Sequence, residues 1–174
     1  NLGFFIGRTV GPIFRSKKKI IQNLEKANIQ HPNLSKIASN VLGNYGRIFA
    51  EYNYLKKFRN NELKKYISVD GLEHLENLKK QNKKAVFISG HFNNFELMAM
   101  EIEKAGINLA AIYRPLNNIF LNKTMEKIRK ENICKNQIKK GRAGSREIIK
   151  NLIEGKSIAL MIDQRVREGE KVKF

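Results

Sequence analysis

The stretch Val86-Phe87-Ile88-Ser89-Gly90-His91-Phe92-Asn93-Asn94-Phe95-Glu96 decides how this chain folds. Its apolar residues follow the polar run 79–84 and stop at Ser89-Gly90, a pattern typical of a short buried strand in an α/β sheet. We therefore predict a strand over 85–89, with His91 at its exit. Either of the two asparagines that follow can cap a helix, which indicates the strand-then-helix unit of an α/β fold.

Working outward, apolar spacing predicts helices before this stretch and alternating strands and helices after it. Helical periodicity covers residues 17–28, 33–57 and 72–80. The elements predicted after the first strand are a helix over 94–105, a strand over 108–113, helices over 117–131 and 144–154, and a strand over 157–162. This order indicates a three-layer α/β core with a mostly parallel sheet, preceded by a helical N-terminal region.

His91 and Glu96 are the first candidates for catalysis, because reacting groups in open α/β sheets collect at the carboxyl ends of strands. Glu96 falls in the first turn of the predicted helix. Its carboxylate can fix the imidazole tautomer and stabilise the imidazolium, while the other ring nitrogen takes a proton from a hydroxyl. The alternative is a structural histidine, since a His and a Glu five positions apart occur by chance in many proteins.

Four blocks follow one another along the second half of the chain. They are Gly90–Glu96 with its His-x4-Glu spacing, Tyr113–Asn118, Gly141–Glu147 and Ile158–Gln164. In this order they resemble the lipid A biosynthesis (lauroyl/myristoyl) acyltransferases of the lysophospholipid acyltransferase superfamily. Upstream, Asn44-Tyr45-Gly46-Arg47 resembles the helical region that precedes the core of that family. One His-x4-Glu is a weak signal, but four blocks in order are a specific one.

The resemblance implies transfer of a fatty acyl chain from an acyl carrier protein thioester to a hydroxyl of a lipid A precursor, at the cytoplasmic face of the cell inner membrane. His91 would deprotonate the hydroxyl and Glu96 would orient the imidazole, without a cofactor, a metal or a covalent acyl-enzyme. The implied substrate-binding residues are Arg114, Asn117, Arg142, Asp163 and Gln164. One alternative is a coenzyme A donor with a phospholipid or glycolipid acceptor; another is a non-catalytic protein that binds anionic membranes.

Two arginines have a physical case of their own. Arg114 follows the strand 108–113 at the sheet edge that carries His91, and an arginine fork suits phosphate or carboxylate. Arg142 precedes a helix start expected near Ser145, where free N–H groups favour an anion. The alternative for either arginine is a structural ion pair. Asp163 follows the last strand, where it either orients one of these arginines or ends the strand.

The net charge of +18 favours acidic partners. Nucleic acid is not expected, because the lysines are spread along the chain and no recognition helix or RNA-binding block is present. An anionic inner membrane, an acidic carrier protein and a phosphorylated lipid remain. The alternative is compositional drift, since 24 Lys and 20 Asn are typical of an AT-rich genome.

Residues 1–16 form a predicted membrane-proximal segment. Residues 2–14 are mostly apolar with one charge, Arg8, and a basic cluster over 15–19 follows at once. This pattern predicts the cytoplasmic end of a membrane anchor or an interfacial helix; the alternative is a helix packed on the protein's own core. Residues 17–174 would form the acyltransferase domain, expected to be incomplete at its C-terminus because the resembled family is longer.

Overall fold

The computed structural model describes residues 2–163. Its first helices are α1 (Leu2–Phe14), α2 (Lys17–Lys26), α3 (Leu34–Glu51), α4 (Leu55–Arg59) and α5 (Leu72–Lys80). Strands and helices then alternate as β1 (Val86–Ser89), α6 (Glu96–Lys104), β2 (Leu109–Tyr113), α7 (Ile119–Asn132), β3 (Asn136–Lys139), α8 (Arg142–Ile153) and β4 (Ser157–Met161). Contacts divide the chain into two compact units, Asn1–Lys57 and Phe58–Phe174.

The second unit is built on a four-stranded parallel sheet with the order β1-β4-β2-β3. The predicted α/β class with a helical N-terminal region is confirmed. Strand β3 was missed, because only one of its four residues, Ile138, is apolar. The helix predicted over 33–57 was too long: α3 ends at Glu51, and a 3-10 turn, Tyr52–Tyr54, separates it from α4.

The sheet packs its core against α8. Ala110, Ile138 and Ile158 form a buried cluster, and Ile148 and Leu152 of α8 pack against it. Burying an isoleucine or leucine side chain contributes about 1.5–3 kcal/mol. The isoleucines and the leucine of this cluster therefore fix the position of α8 on the sheet.

Strand β1 lies at one edge of the sheet. Its register places Ile88 beside Leu160 and Ser89 beside Met161 of β4. The prediction of a fully buried strand was wrong, because Val86 and Ile88 are both more than half exposed. An edge strand has a neighbour on one side only, which leaves more of its side-chain surface open to solvent.

In the first unit, α1 packs on α3 through glycines. Gly3, Gly7 and Gly11 recur every fourth residue, so they share one face of α1. The backbones approach so closely that a Cβ on Gly46 of α3 would lie 2.2 Å from the carbonyl oxygen of Gly3 and 2.6 Å from Cα of Gly7. The exposed apolar side chains of α1 are Leu2, Phe5, Ile6, Val10, Ile13 and Phe14. Helix α1 therefore packs on α3 and also carries an exposed apolar surface, and its predicted place at a membrane stays a prediction.

Among residues 2–163, no helix is both long enough and apolar enough to cross a bilayer.

We expect Gly46→Ala to lower the free energy of unfolding by about 1–3 kcal/mol, because the added methyl group meets backbone atoms that cannot move aside. Gly11→Ala is the matched control, since a Cβ there meets only the side chain of Leu42, at 3.1 Å or more. Alanine has the better helix propensity by up to about 1 kcal/mol, but Pro12 follows and its ring disfavours a Cβ on the preceding helical residue, so the control should lower stability less than Gly46→Ala does. Denaturant unfolding followed by circular dichroism measures both, and equal effects would contradict the close packing.

Candidate active site

The carboxyl ends of all four strands lie at one edge of the sheet, because the strands are parallel. His91 follows β1, Arg114 follows β2, Arg142 follows β3 and Asp163 follows β4. Since β4 lies between β1 and β2, the sheet order makes His91 and Asp163 neighbours. The predicted blocks therefore meet at one edge, where open α/β sheets place their ligands.

The carboxylate of Asp163 holds His91 at two points. The backbone N–H of His91 donates to Asp163 Oδ2 at 2.7 Å, and Nδ1 of the imidazole lies 2.7 Å from Oδ1. The hydrogen bond from the backbone N–H of His91 has the largest effect on the pKa of Asp163, followed by the bond to the imidazole, and both lower it below its ordinary value. The carboxylate is therefore ionised at neutral pH. An ionised Asp163 accepts a hydrogen bond from Nδ1–H, and this tautomer makes Nε2 the basic nitrogen.

The turn after β1 presents the imidazole of His91. Phe95 packs its ring on the imidazole edge to face, with 4.6 Å between ring centroids. Asn93 has a φ of 43°, the left-handed conformation that asparagine tolerates best among non-glycine residues, and so allows the sharp turn into α6. The side chain of His91 remains 28% exposed, so a substrate can reach the ring.

Glu96, the second residue of the His-x4-Glu pattern, is buried and held by Arg129. Nε and Nη2 of Arg129 donate to Glu96 Oε1 at 2.9 and 2.6 Å. Helix α6 begins at Glu96 and Arg129 lies in the last turn of α7, so this ion pair joins the two helices. The prediction that Glu96 orients His91 stays a prediction, whereas Asp163 is seen to contact the ring.

Sequence reasoning missed Arg129. The sequence signal was weak: Asn122, Glu126 and Arg129 recur at helical spacing on one face of α7, but polar residues at this spacing are also typical of a solvent-exposed face. Glu126 accepts from Tyr113 Oη at 2.5 Å and from Asn122 Nδ2 at 2.7 Å. Burial, and then the bond to Glu126, raise the pKa of Tyr113 well above its ordinary value, so the phenol stays protonated and donates.

This network also positions the loop that carries Arg114 and Asn117. Asn122 Oδ1 accepts from the backbone N–H of Leu116 at 2.8 Å, which ties the middle of the loop to α7. Arg114 and Asn117 are both exposed at the carboxyl edge of the sheet. Their predicted roles as substrate-binding residues stay predictions.

Helix α8 begins earlier than expected, at Arg142 rather than near Ser145. Gly144 explains the difference, because a Cβ there would lie 2.0 Å from the carbonyl oxygen of Lys139 and would push the first turn away from β3. The guanidinium of Arg142 is therefore placed in the first turn of a helix, with an exposed side chain. Gln164, the last predicted binding residue, lies outside the described residues.

Cys134 is not a candidate nucleophile. It is buried, its Sγ lies 3.3 Å from the carbonyl oxygens of Leu109 and Asn136, and burial raises its pKa to about 11. A thiol with this pKa is protonated at neutral pH. Within residues 2–163, no group of three or more His, Cys, Asp and Glu side chains is placed to hold a metal ion.

A histidine held by a carboxylate at the carboxyl edge of a parallel sheet has the geometry that a general base needs to deprotonate a hydroxyl. The family model of the bacterial lipid A biosynthesis acyltransferases matches residues 1–174. The chain therefore belongs to that family, which confirms the resemblance and implies acyltransferase activity on a lipid A precursor. A search of curated proteins finds no significant match.

We expect Arg129→Met to destabilise the fold by about 3–5 kcal/mol, because it leaves the buried carboxylate of Glu96 without its cation. The double variant Glu96→Gln with Arg129→Met removes both charges and should recover much of this loss. Lys127→Met on the same helix is the control, since its pair with Glu131 is exposed and 3.9 Å long, and should change stability by about 0.5 kcal/mol or less. Denaturant unfolding measures all three, and a double variant no better than Arg129→Met would contradict charge compensation.

Proposed function

We propose that this chain transfers a fatty acyl group from the thioester of acyl carrier protein to a hydroxyl of a lipid A precursor at the cytoplasmic face of the inner membrane. The observation that carries the proposal is the 2.7 Å contact between Nδ1 of His91 and Asp163 at the carboxyl edge of the sheet. Family membership supplies the class of reaction. The acyl carrier as donor and the membrane as location are part of the proposal.

His91 acts as the general base. With Nδ1–H donated to Asp163, Nε2 takes the proton of the acceptor hydroxyl as its oxygen attacks the thioester carbonyl. The carbon–sulfur bond then breaks, and the imidazolium returns the proton to the leaving thiolate. Asp163 holds the tautomer and stabilises the imidazolium charge while it exists. The step needs no cofactor, no metal and no covalent acyl-enzyme.

Glu96 supports this site through its charge. The carboxylate is buried and its negative charge is offset by Arg129, so it adds a fixed ion pair at the start of α6, directly after the turn that carries His91. Of the two roles expected for Glu96, we keep the stabilisation of the imidazolium, and its ion pair with Arg129 makes this contribution smaller than that of Asp163. Asp163 then takes the orienting role that the motif alone would assign to Glu96.

Cationic and amide side chains bind the anionic substrate groups. Arg114 and Arg142 are exposed at the carboxyl ends of β2 and β3, and their forks suit phosphates of the lipid or of the donor's phosphopantetheine. Asn117 and Gln164 complete the binding set. The net charge of +18 attracts both an acidic carrier protein and an anionic membrane surface.

We expect His91→Ala to lower acyl transfer about 10²–10⁴-fold, because it removes the base. Asp163→Asn should give a loss of the same order, since an amide oxygen no longer carries the charge that stabilises the imidazolium. His74→Ala is the matched control: His74 is also a histidine beside a carboxylate, Glu73, but it is exposed on α5. The measurement is transfer of radiolabelled acyl groups from acyl carrier protein to a lipid A precursor, with melting temperature beside it.

Comparing the activities of Asp163→Asn and Glu96→Gln shows which of the two carboxylates orients His91. A folded His91→Ala protein with near-normal turnover would remove the mechanism. Full activity in Asp163→Asn together with loss in Glu96→Gln would return the orienting role to Glu96.

Replacing Arg114 or Arg142 by lysine tests anion binding, because lysine keeps the charge and loses the two-pronged fork. We expect each substitution to raise the KM for the lipid acceptor or the acyl donor and to leave the melting temperature nearly unchanged, since both side chains are exposed. Arg15→Lys is the control, because Arg15 is exposed and lies outside the four blocks. A large fall in melting temperature with an unchanged rate per folded molecule would show structural pairing instead.

A further inference from the structure

The first turn of α7 exposes three consecutive apolar side chains. Ile119, Phe120 and Leu121 are 71%, 85% and 58% exposed, and we call these three residues the apolar tip. Single exposed apolar residues are ordinary on a protein surface. A run of three with an almost fully exposed phenylalanine is not, and such patches mark surfaces that contact a membrane or another molecule.

The apolar tip is held in place rather than frayed. The side chain of Asn118 accepts from the backbone N–H groups of Phe120 and Leu121 at 3.0 and 3.1 Å, which caps the helix. Asn122 binds the loop before the tip through Leu116 N–H. The helix start is therefore fixed in a position that leaves its three apolar side chains exposed.

Cations lie on both sides of the tip. Arg114 precedes it in the loop after β2, and Lys123 and Lys130 follow it along α7, all three with exposed side chains. Lys127, also exposed, forms an ion pair with Glu131. An apolar element flanked by lysine and arginine is the composition of segments that enter the interface of an anionic bilayer. There the apolar groups reach the acyl region while the cations stay at the headgroups.

We propose that the apolar tip inserts into an anionic lipid surface and holds the carboxyl edge of the sheet against it. The tip follows β2 at the same edge that carries His91 and Asp163. Insertion there brings the base to the depth of the headgroups, where the hydroxyl of a phosphorylated glycolipid lies. The inference rests on the membrane location in the proposed function and adds the surface of the second unit that makes the contact.

A single tryptophan can report insertion locally, because the chain contains no Trp. We would place it by Phe120→Trp in the full chain, and by Ile153→Trp as the matched control. Ile153 is 78% exposed but ends α8, just before the amino end of β4, and so lies at the opposite edge of the sheet. Each protein is mixed with vesicles of phosphatidylcholine alone or with phosphatidylglycerol, and quenching by brominated lipid is measured.

Insertion predicts that Phe120→Trp emission shifts to shorter wavelength and is quenched by brominated lipid in the anionic vesicles, more weakly at high salt, while Ile153→Trp changes little. A local probe is needed because the exposed face of α1 can also bind lipid. The double variant Ile119→Ser with Phe120→Ser should weaken vesicle binding about tenfold or more, because two apolar side chains leave the acyl region.

Binding of the protein without quenching of Phe120→Trp would overturn the inference, as would equal quenching at both positions. An environment change of Phe120→Trp only when acyl donor is added would overturn it in favour of an acyl-chain contact. The vesicles contain neither donor nor lipid A precursor, so failure here leaves the proposed transfer reaction intact. Conversely, insertion by a protein that transfers no acyl group would leave the inference standing and remove the proposed function.

Discussion

The parallel pairing of β1 with β4 is the constraint on which the site depends. The backbone N–H of Ile158 donates to Ala85 O, and that of Ile162 donates to Ser89 O, both at 3.0 Å. These bonds fix the register at both ends of the pair, so the residue after Ile162 emerges beside His91. A slip by one residue would turn that residue to the other face of the sheet and separate the carboxylate from the imidazole.

The two carboxylates lie in different surroundings. Asp163 lies at the open end of β4 with its side chain 41% exposed, and its hydrogen bonds go to the backbone and ring of His91. Glu96 is buried, where an unpaired carboxylate would be costly, and Arg129 offsets its charge. Asp163 therefore contacts the imidazole of His91 directly, and Glu96 joins α6 to α7 through Arg129.

The pattern of apolar and polar residues along the chain predicted most of the strands and helices. Strands β1, β2 and β4 and the helices between them were predicted from apolar runs, because each run is bounded by glycine or polar residues. Strand β3 was missed because it is an edge strand with a single buried residue, Ile138. Its composition does not differ from that of a loop.

The site was only partly predictable for a different reason. His91 and Asp163 were both marked as candidates, but their contact follows from the strand order, and order is a property of long-range packing that spacing along the chain does not encode. Arg129 was missed because it serves a residue 33 positions away, on another helix.

The glycine contact between α1 and α3 depends less on water than most contacts between helices do. Most packing in water-soluble proteins depends on removing apolar side chains from water, and it loses that driving force in hydrocarbon. Here the two backbones touch directly at Gly7 and Gly46, and van der Waals contact between backbones is as favourable in lipid as in water. This part of the contact between the two helices therefore does not require water, and the exposed apolar side chains of α1 remain available to an apolar environment.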